Sequence, residues 1–179
     1  MSDTYDVVLL LEQPLSMQDA RQVRGLHEEI DDHVRYHVLL PVEDAAARVE
    51  SAMGSIAGSE VLASPSMVIN DMNLEEVQAE LLEQAREDLD ACIRRLDEAG
   101  GDAVGEVVNI DPIDALASKV AQVSAAEAII LTRPHVVSEF FHLDWSSRAR
   151  RKLGVPVLHL LERETFDEQA GGGEGVSGM

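Results

Sequence analysis

Five short apolar-rich runs constrain this chain most, because each has the length of a strand and helical patterns separate them. Val7–Leu11 (VVLLL) is continuously apolar and closed by Glu12-Gln13-Pro14. A strand that is apolar on both faces needs cover above and below, which an internal position in a parallel sheet provides. Tyr36–Val42 (YHVLLPV) reads the same way. Between the two, Ser16 and Asp19 form a capping-box pattern, and Ala20, Val23, Leu26/His27 and Ile30 follow at helical spacing, which predicts a helix of about four turns. Strand, helix, strand with buried strands is a parallel crossover unit.

The rhythm continues to residue 161. Ala45–Ala57 reads as a short helix followed by a Gly- and Ser-rich excursion. Asn73 and Glu76 form a second capping-box pattern. Leu74, Val77, Leu81, Ala85, Leu89, Cys92 and Leu96 then hold a three-or-four spacing up to Gly100-Gly101. Its outer face carries most of the acids from Glu75 to Glu98 and reads as a solvated face rather than a binding site. Val104–Ile110 is a third strand. Asp111-Pro112 supplies an N-cap and a first-turn proline for a helix whose inner stripe is Ile113, Leu116, Val120 and Val123. Ala128–Leu131 and Val155–Leu161 are strands four and five, with a helix capped by Ser146 or Ser147 and ended by Gly154 between them. The expected fold class is α/β, a three-layer sandwich around a five-stranded parallel sheet. Residues 1–166 form one domain, and 167–179, polar and glycine-rich, read as a disordered tail.

Charge and cysteine usage narrow the function. Fourteen Lys plus Arg against 34 Asp plus Glu give a net charge of −20, which disfavours nucleic acid and anionic membrane surfaces as partners. The lone cysteine, Cys92, lies on an apolar helix stripe; it excludes an internal disulfide and reads as a buried thiol in a reducing compartment. The first residues carry no basic leader, and Val7–Leu11 is too short to span a membrane, so a cytoplasmic location is expected.

Ligands of open parallel sheets bind beyond the carboxyl ends of the strands, so the loops at 12–16, 42–45, 110–112 and 132–146 hold the candidate site. No phosphate-binding P-loop, strand-linked G-x-G-x-x-G or G-x-S-x-G elbow falls there. Gly54 and Gly58 form a GxxxG inside a predicted helix, away from any strand end. His27-Glu28 lacks the second histidine of HExxH: position 31 is Asp, and His33 lies about 240° further round a helix. His135, Glu139, His142 and Asp144 read as polar loop residues rather than metal ligands. His159 alternates with apolar neighbours as an edge or interface histidine. Arg148, Arg150, Arg151 and Lys152 cluster where a helix C-terminus favours cations, and an anion or acidic-partner site there is the alternative.

The order of these elements, with VVLLLEQ at 7–13, DPIDAL at 111–116, AEAIILTR at 126–133 and GVPVLHL at 154–160, resembles the universal stress protein family over residues 5–162. Nucleotide-binding members of that family carry G-x2-G-x9-G-[S/T] after strand four, where bare backbone wraps the ATP phosphates. In this chain the register falls on Thr132, His135 and Trp145, followed by Ser146. All three glycines are replaced by residues with side chains, and Trp145 adds the most bulk. The resemblance places the adenine-holding residue at Glu12 or Gln13 and its hydrophobic counterpart at Val42.

The expected protein is a universal-stress-protein-like regulatory or interaction module, non-enzymatic, without cofactor or metal. The resemblance also implies a homodimer through Val155–Leu161. The alternative is a sensor that binds ATP, AMP or another anion through Arg133, Ser146 and Ser147 at a helix N-terminus. A nucleotide hydrolase is a third reading, but it needs a nucleophile or metal constellation that the sequence does not display.

Overall fold

The computed structural model describes residues 4–42, 71–132 and 149–161. Strands β1 (Thr4–Leu11), β2 (His33–Pro41), β3 (Asp102–Val108), β4 (Glu127–Thr132) and β5 (Val157–Leu161) form one sheet in the order β3-β2-β1-β4-β5. Every pairing is parallel. Helices α1 (Met17–Gly25), α2 (Asp71–Glu98) and α3 (Pro112–Val123), and a helical stretch at 149–153 (α4), cover it.

The strand order explains the layers. The chain steps outward from β1 through β2 to β3, then returns past β1 to β4 and β5. Right-handed crossovers put helices on opposite faces when the direction of travel reverses. Accordingly Ala20 and Val23 of α1 and Leu89, Cys92 and Leu96 of α2 pack with Val7, Leu9, Leu11, Tyr36 and Val38 on one face. Ile113, Leu116 and Val120 of α3 and Ala149 and Leu153 of α4 pack with Val8, Leu10, Leu39, Ala128 and Ile130 on the other. Val7 to Leu11 are all fully buried, as expected for the central strand. Gly105 on β3 is required by close approach: a Cβ there would lie 2.7 Å from Leu89 Cδ1 and 2.9 Å from the Val38 carbonyl.

The local signals hold at several ends and fail at others. Ser16 and Asp19 do form a capping box, with Ser16 N donating to the Asp19 carboxylate at 2.8 Å. Helix α1, however, spans nine residues rather than four turns. Turns replace its predicted last part, with His27 folded inward and Leu26 left 38% exposed. Asn73 is not an N-cap, since α2 is already helical from Asp71. Leu81, Ala85, Leu89, Cys92 and Leu96 form its buried stripe as expected. Asp111 caps α3, accepting from Ile113 N and Asp114 N at 3.0 Å each. Gly154 follows α4 with φ +65°. β1 and β2 begin three residues before their predicted starts, β3 runs two residues earlier throughout, and β5 starts at Val157. The predicted helix at 45–57, Gly54 and Gly58, the cap at Ser146 or Ser147 and the tail lie outside the described residues. No described helix is long and apolar enough to cross a membrane.

Candidate ligand site at the carboxyl ends of the strands

Strand order reverses between β1 and β4, and the two run side by side to Leu11↔Leu131. Glu12 N donates to the Leu131 carbonyl at 3.1 Å, so the ladder continues one residue beyond β1 before the chain turns away. Glu12 and Gln13 therefore leave the sheet at the reversal, beside Thr132 at the end of β4. On the other side of β1, Val42 N donates to the Val108 carbonyl at 2.8 Å and holds the end of β2 against β3. Glu12, Gln13, Val42 and Thr132 thus share the carboxyl edge of three adjacent strands. Arg133, His135, Trp145, Ser146 and Ser147 lie outside the described residues, as do Glu139, His142, Asp144 and Arg148.

Two contacts fix the loop below the first pair. Leu15 is fully buried, its N–H reaches Cys92 Sγ at 3.2 Å, and Arg95 of α2 donates to its carbonyl. Cys92 is buried as expected and holds this turn. Thr132 is 2% exposed, and its Oγ1 lies 2.7 Å from His159 Nε2 across the β4–β5 pair. His159 is therefore an edge-strand residue, as expected, but one tied into the sheet. Among the described residues no group of three or more His, Cys, Asp or Glu is placed to hold a metal ion. In the basic cluster, Lys152 forms an ion pair with Asp114 on α3, while Arg150 and Arg151 are exposed.

The amino ends of the same strands carry a polar cluster that sequence reading missed. His27 is 2% exposed. Its Nδ1 lies 3.0 Å from the Val23 carbonyl and 2.9 Å from Tyr36 Oη, and its Nε2 hydrogen-bonds Glu127 Oε1. The Tyr5 and Tyr36 rings flank it at centroid distances of 6.0 and 5.5 Å. Burial pushes the Tyr36 phenol up to about 12, against the opposing charge of Arg24. Burial, then the Glu127 carboxylate, raises Tyr5 as well. Nearby, Asp6 pairs with His37 at 2.7 Å, and Asp102 accepts from His33 and Arg35. The His33 hydrogen bond leads in holding the Asp102 carboxyl below its ordinary value. The available signal was a histidine at an apolar helix position followed by a strand in which His33, Arg35 and His37 alternate with Val34, Tyr36 and Val38.

No protein-family model matches the sequence, and no curated protein does. Solved structures do match in fold. UspA from Lactobacillus plantarum superposes with a TM-score of 0.54 at 12% identity, covering 90% of this chain and 99% of that one. A universal stress protein from Archaeoglobus fulgidus gives 0.50 at 14% identity, over 87% and 93% of the two chains. The Archaeoglobus fulgidus universal stress protein in complex with dAMP gives 0.50 at 12% identity, over 89% and 98%. From its first strand to its last, this chain has the fold of the universal stress proteins.

Proposed function

We propose that the protein is a non-enzymatic regulatory or interaction module of the universal-stress-protein type, one that does not hold ATP as the family's nucleotide-binding members do. Thr132 carries this reading. It stands where the resemblance puts the first loop glycine, yet it is a buried β-branched residue tied to His159. Among the described residues the one non-glycine with positive φ is Ser124, so Thr132 does not reproduce a glycine's left-handed backbone. His135 and Trp145 replace the other two glycines in sequence. Among the described residues β5 pairs with β4 alone, and a second copy on its outer hydrogen-bonding edge is part of the proposal.

The second reading is a sensor for an adenine nucleotide at the same edge. It draws support from the dAMP complex of the Archaeoglobus fulgidus neighbour and from Glu12, Gln13 and Val42 lying along one carboxyl edge of the sheet.

Thermal unfolding with ATP, ADP and AMP, each with and without magnesium, separates the two. A ligand at a hundredfold over its Kd adds about 2.7 kcal/mol, which in a domain of this size raises Tm by roughly 5–10 °C. The expected result is no shift with any of the three. A shift of that order would establish the sensor reading instead. The double variant His135→Gly, Trp145→Gly is expected to gain an ATP-dependent shift, and Leu158→Lys to yield a monomer by light scattering.

A further inference from the structure

One atom, His27 Nδ1, stands within hydrogen-bond distance of two groups that it can serve together only when it carries a proton. The Val23 carbonyl at 3.0 Å can only accept, so it needs a proton on Nδ1. The Tyr36 hydroxyl at 2.9 Å can donate to a bare Nδ1 or accept from a protonated one. On the far side of the ring, the Glu127 carboxylate fixes a proton on Nε2.

We propose that His27 is a proton-operated clasp on the last turn of α1. In the neutral ring Tyr36 donates to bare Nδ1, while Nε2–H donates to Glu127. When the ring takes a second proton, Nδ1–H donates to the Val23 carbonyl and the Tyr36 hydroxyl turns from donor to acceptor. Two facts make the charged state tolerable in a site that is 2% exposed: Glu127 is its counter-ion, and Val23 lies among the last four carbonyls of α1, where a cation is favoured. The other titratable or charged groups facing the ring are Tyr5 from β1, Tyr36 from β2 and Arg24 from α1 itself. Arg24 is the cation of this cluster and acts on Tyr36, and Glu127 is the anion paired with His27.

Helix α1 joins the two ends of the sheet. Its capped start, Ser16, lies three residues past Gln13, and its last turn holds Val23. The clasp therefore acts on the far end of the helix that begins just after Glu12 and Gln13.

The test is the ¹⁵N spectrum of the two imidazole nitrogens of His27 in the full chain, followed over about pH 5–9. The expected result is Nε2 protonated throughout and Nδ1 passing from bare to protonated as pH falls. Tyr36→Phe removes the donor that favours bare Nδ1 and is expected to move the change to higher pH. Glu127→Gln removes the counter-ion and is expected to move it to lower pH. In the wild-type chain, protection of the Leu26 and His27 amides from hydrogen exchange is expected to rise about two- to fivefold with the second proton. A ring held in one protonation state across the range would overturn the proposal, as would both variants moving the change the same way. So would unaltered amide protection, a readout that needs no variant to fold.

Discussion

The two ends of the sheet have opposite chemistry. At the carboxyl ends, Glu12, Gln13, Val42 and Thr132 are spread along an edge where loops leave the sheet. At the amino ends, His27, Tyr36 and Glu127 converge on one buried network, and Asp6–His37 and His33–Asp102–Arg35 bridge neighbouring strands beside it. In an open parallel sheet the carboxyl ends are the usual place for ligands, so dense polar pairing at the other end calls for a structural reason. It fastens the strand starts and the end of α1 where no helix N-terminus or loop constellation is needed for binding. Substitutions at the amino ends are thus expected to cost stability, and those at the carboxyl ends to cost little.

Glu127→Ala gives the widest contrast. It leaves a buried imidazole without its carboxylate and is expected to destabilise by about 2–4 kcal/mol. Thr132→Val, which removes one hydroxyl bond at the opposite end, is expected to cost about 1 kcal/mol. Urea unfolding of both variants checks the pair, and equal losses would abolish the distinction between the ends.

The next effect is alkaline. Tyr36 ionises at about 12 in the folded chain against about 10 when unfolded. Its contribution is therefore fully present below pH 10 and lost as pH rises through 12, a change of about 2–3 kcal/mol. Tyr36→Phe is expected to flatten that part of the stability–pH curve, which denaturant midpoints between pH 9 and about 12 would read. The smallest effect is acidic. Asp102 titrates below its ordinary value, so its contribution is present above that value and is lost as pH falls through the lowered one. Solvent screening keeps it small, and Asp102→Asn is expected to alter only the acid limb of the same curve.

The layers, the parallel sheet and the buried helix stripes were legible because burial on both faces writes continuous apolar runs, and burial on one face writes helical spacing. Ser16, Asp111 and Gly154 were legible because capping is local. The end of α1 was not: Leu26 and Ile30 keep helical spacing, but His27 is drawn out of the helix by Glu127, a partner 100 residues away. Likewise Asn73 carries a local cap signal that the helix overrides by starting two residues earlier. At the carboxyl edge, sequence placed Glu12, Gln13, Val42 and Thr132 at strand ends correctly. It did not reveal the Thr132–His159 bond, which depends on β4 and β5 being neighbours in register. The amino-end cluster was hidden for the same reason, since its members come from the turn after α1 and from β1, β2, β3 and β4.

The register of β1 against β4 also bears on how the chain is made. Val7 pairs with Glu127, a partner 120 residues later in synthesis. At about 5–20 residues per second, the fully buried run of the central strand leaves the ribosome roughly 6–24 s before that partner exists. Pairing with β2 covers one edge early, while the other stays open until the chain has passed Thr132. Nascent Val7–Leu11 is thus the segment on which a chaperone would act, and the interval before β4 arrives is when aggregation competes most strongly with folding.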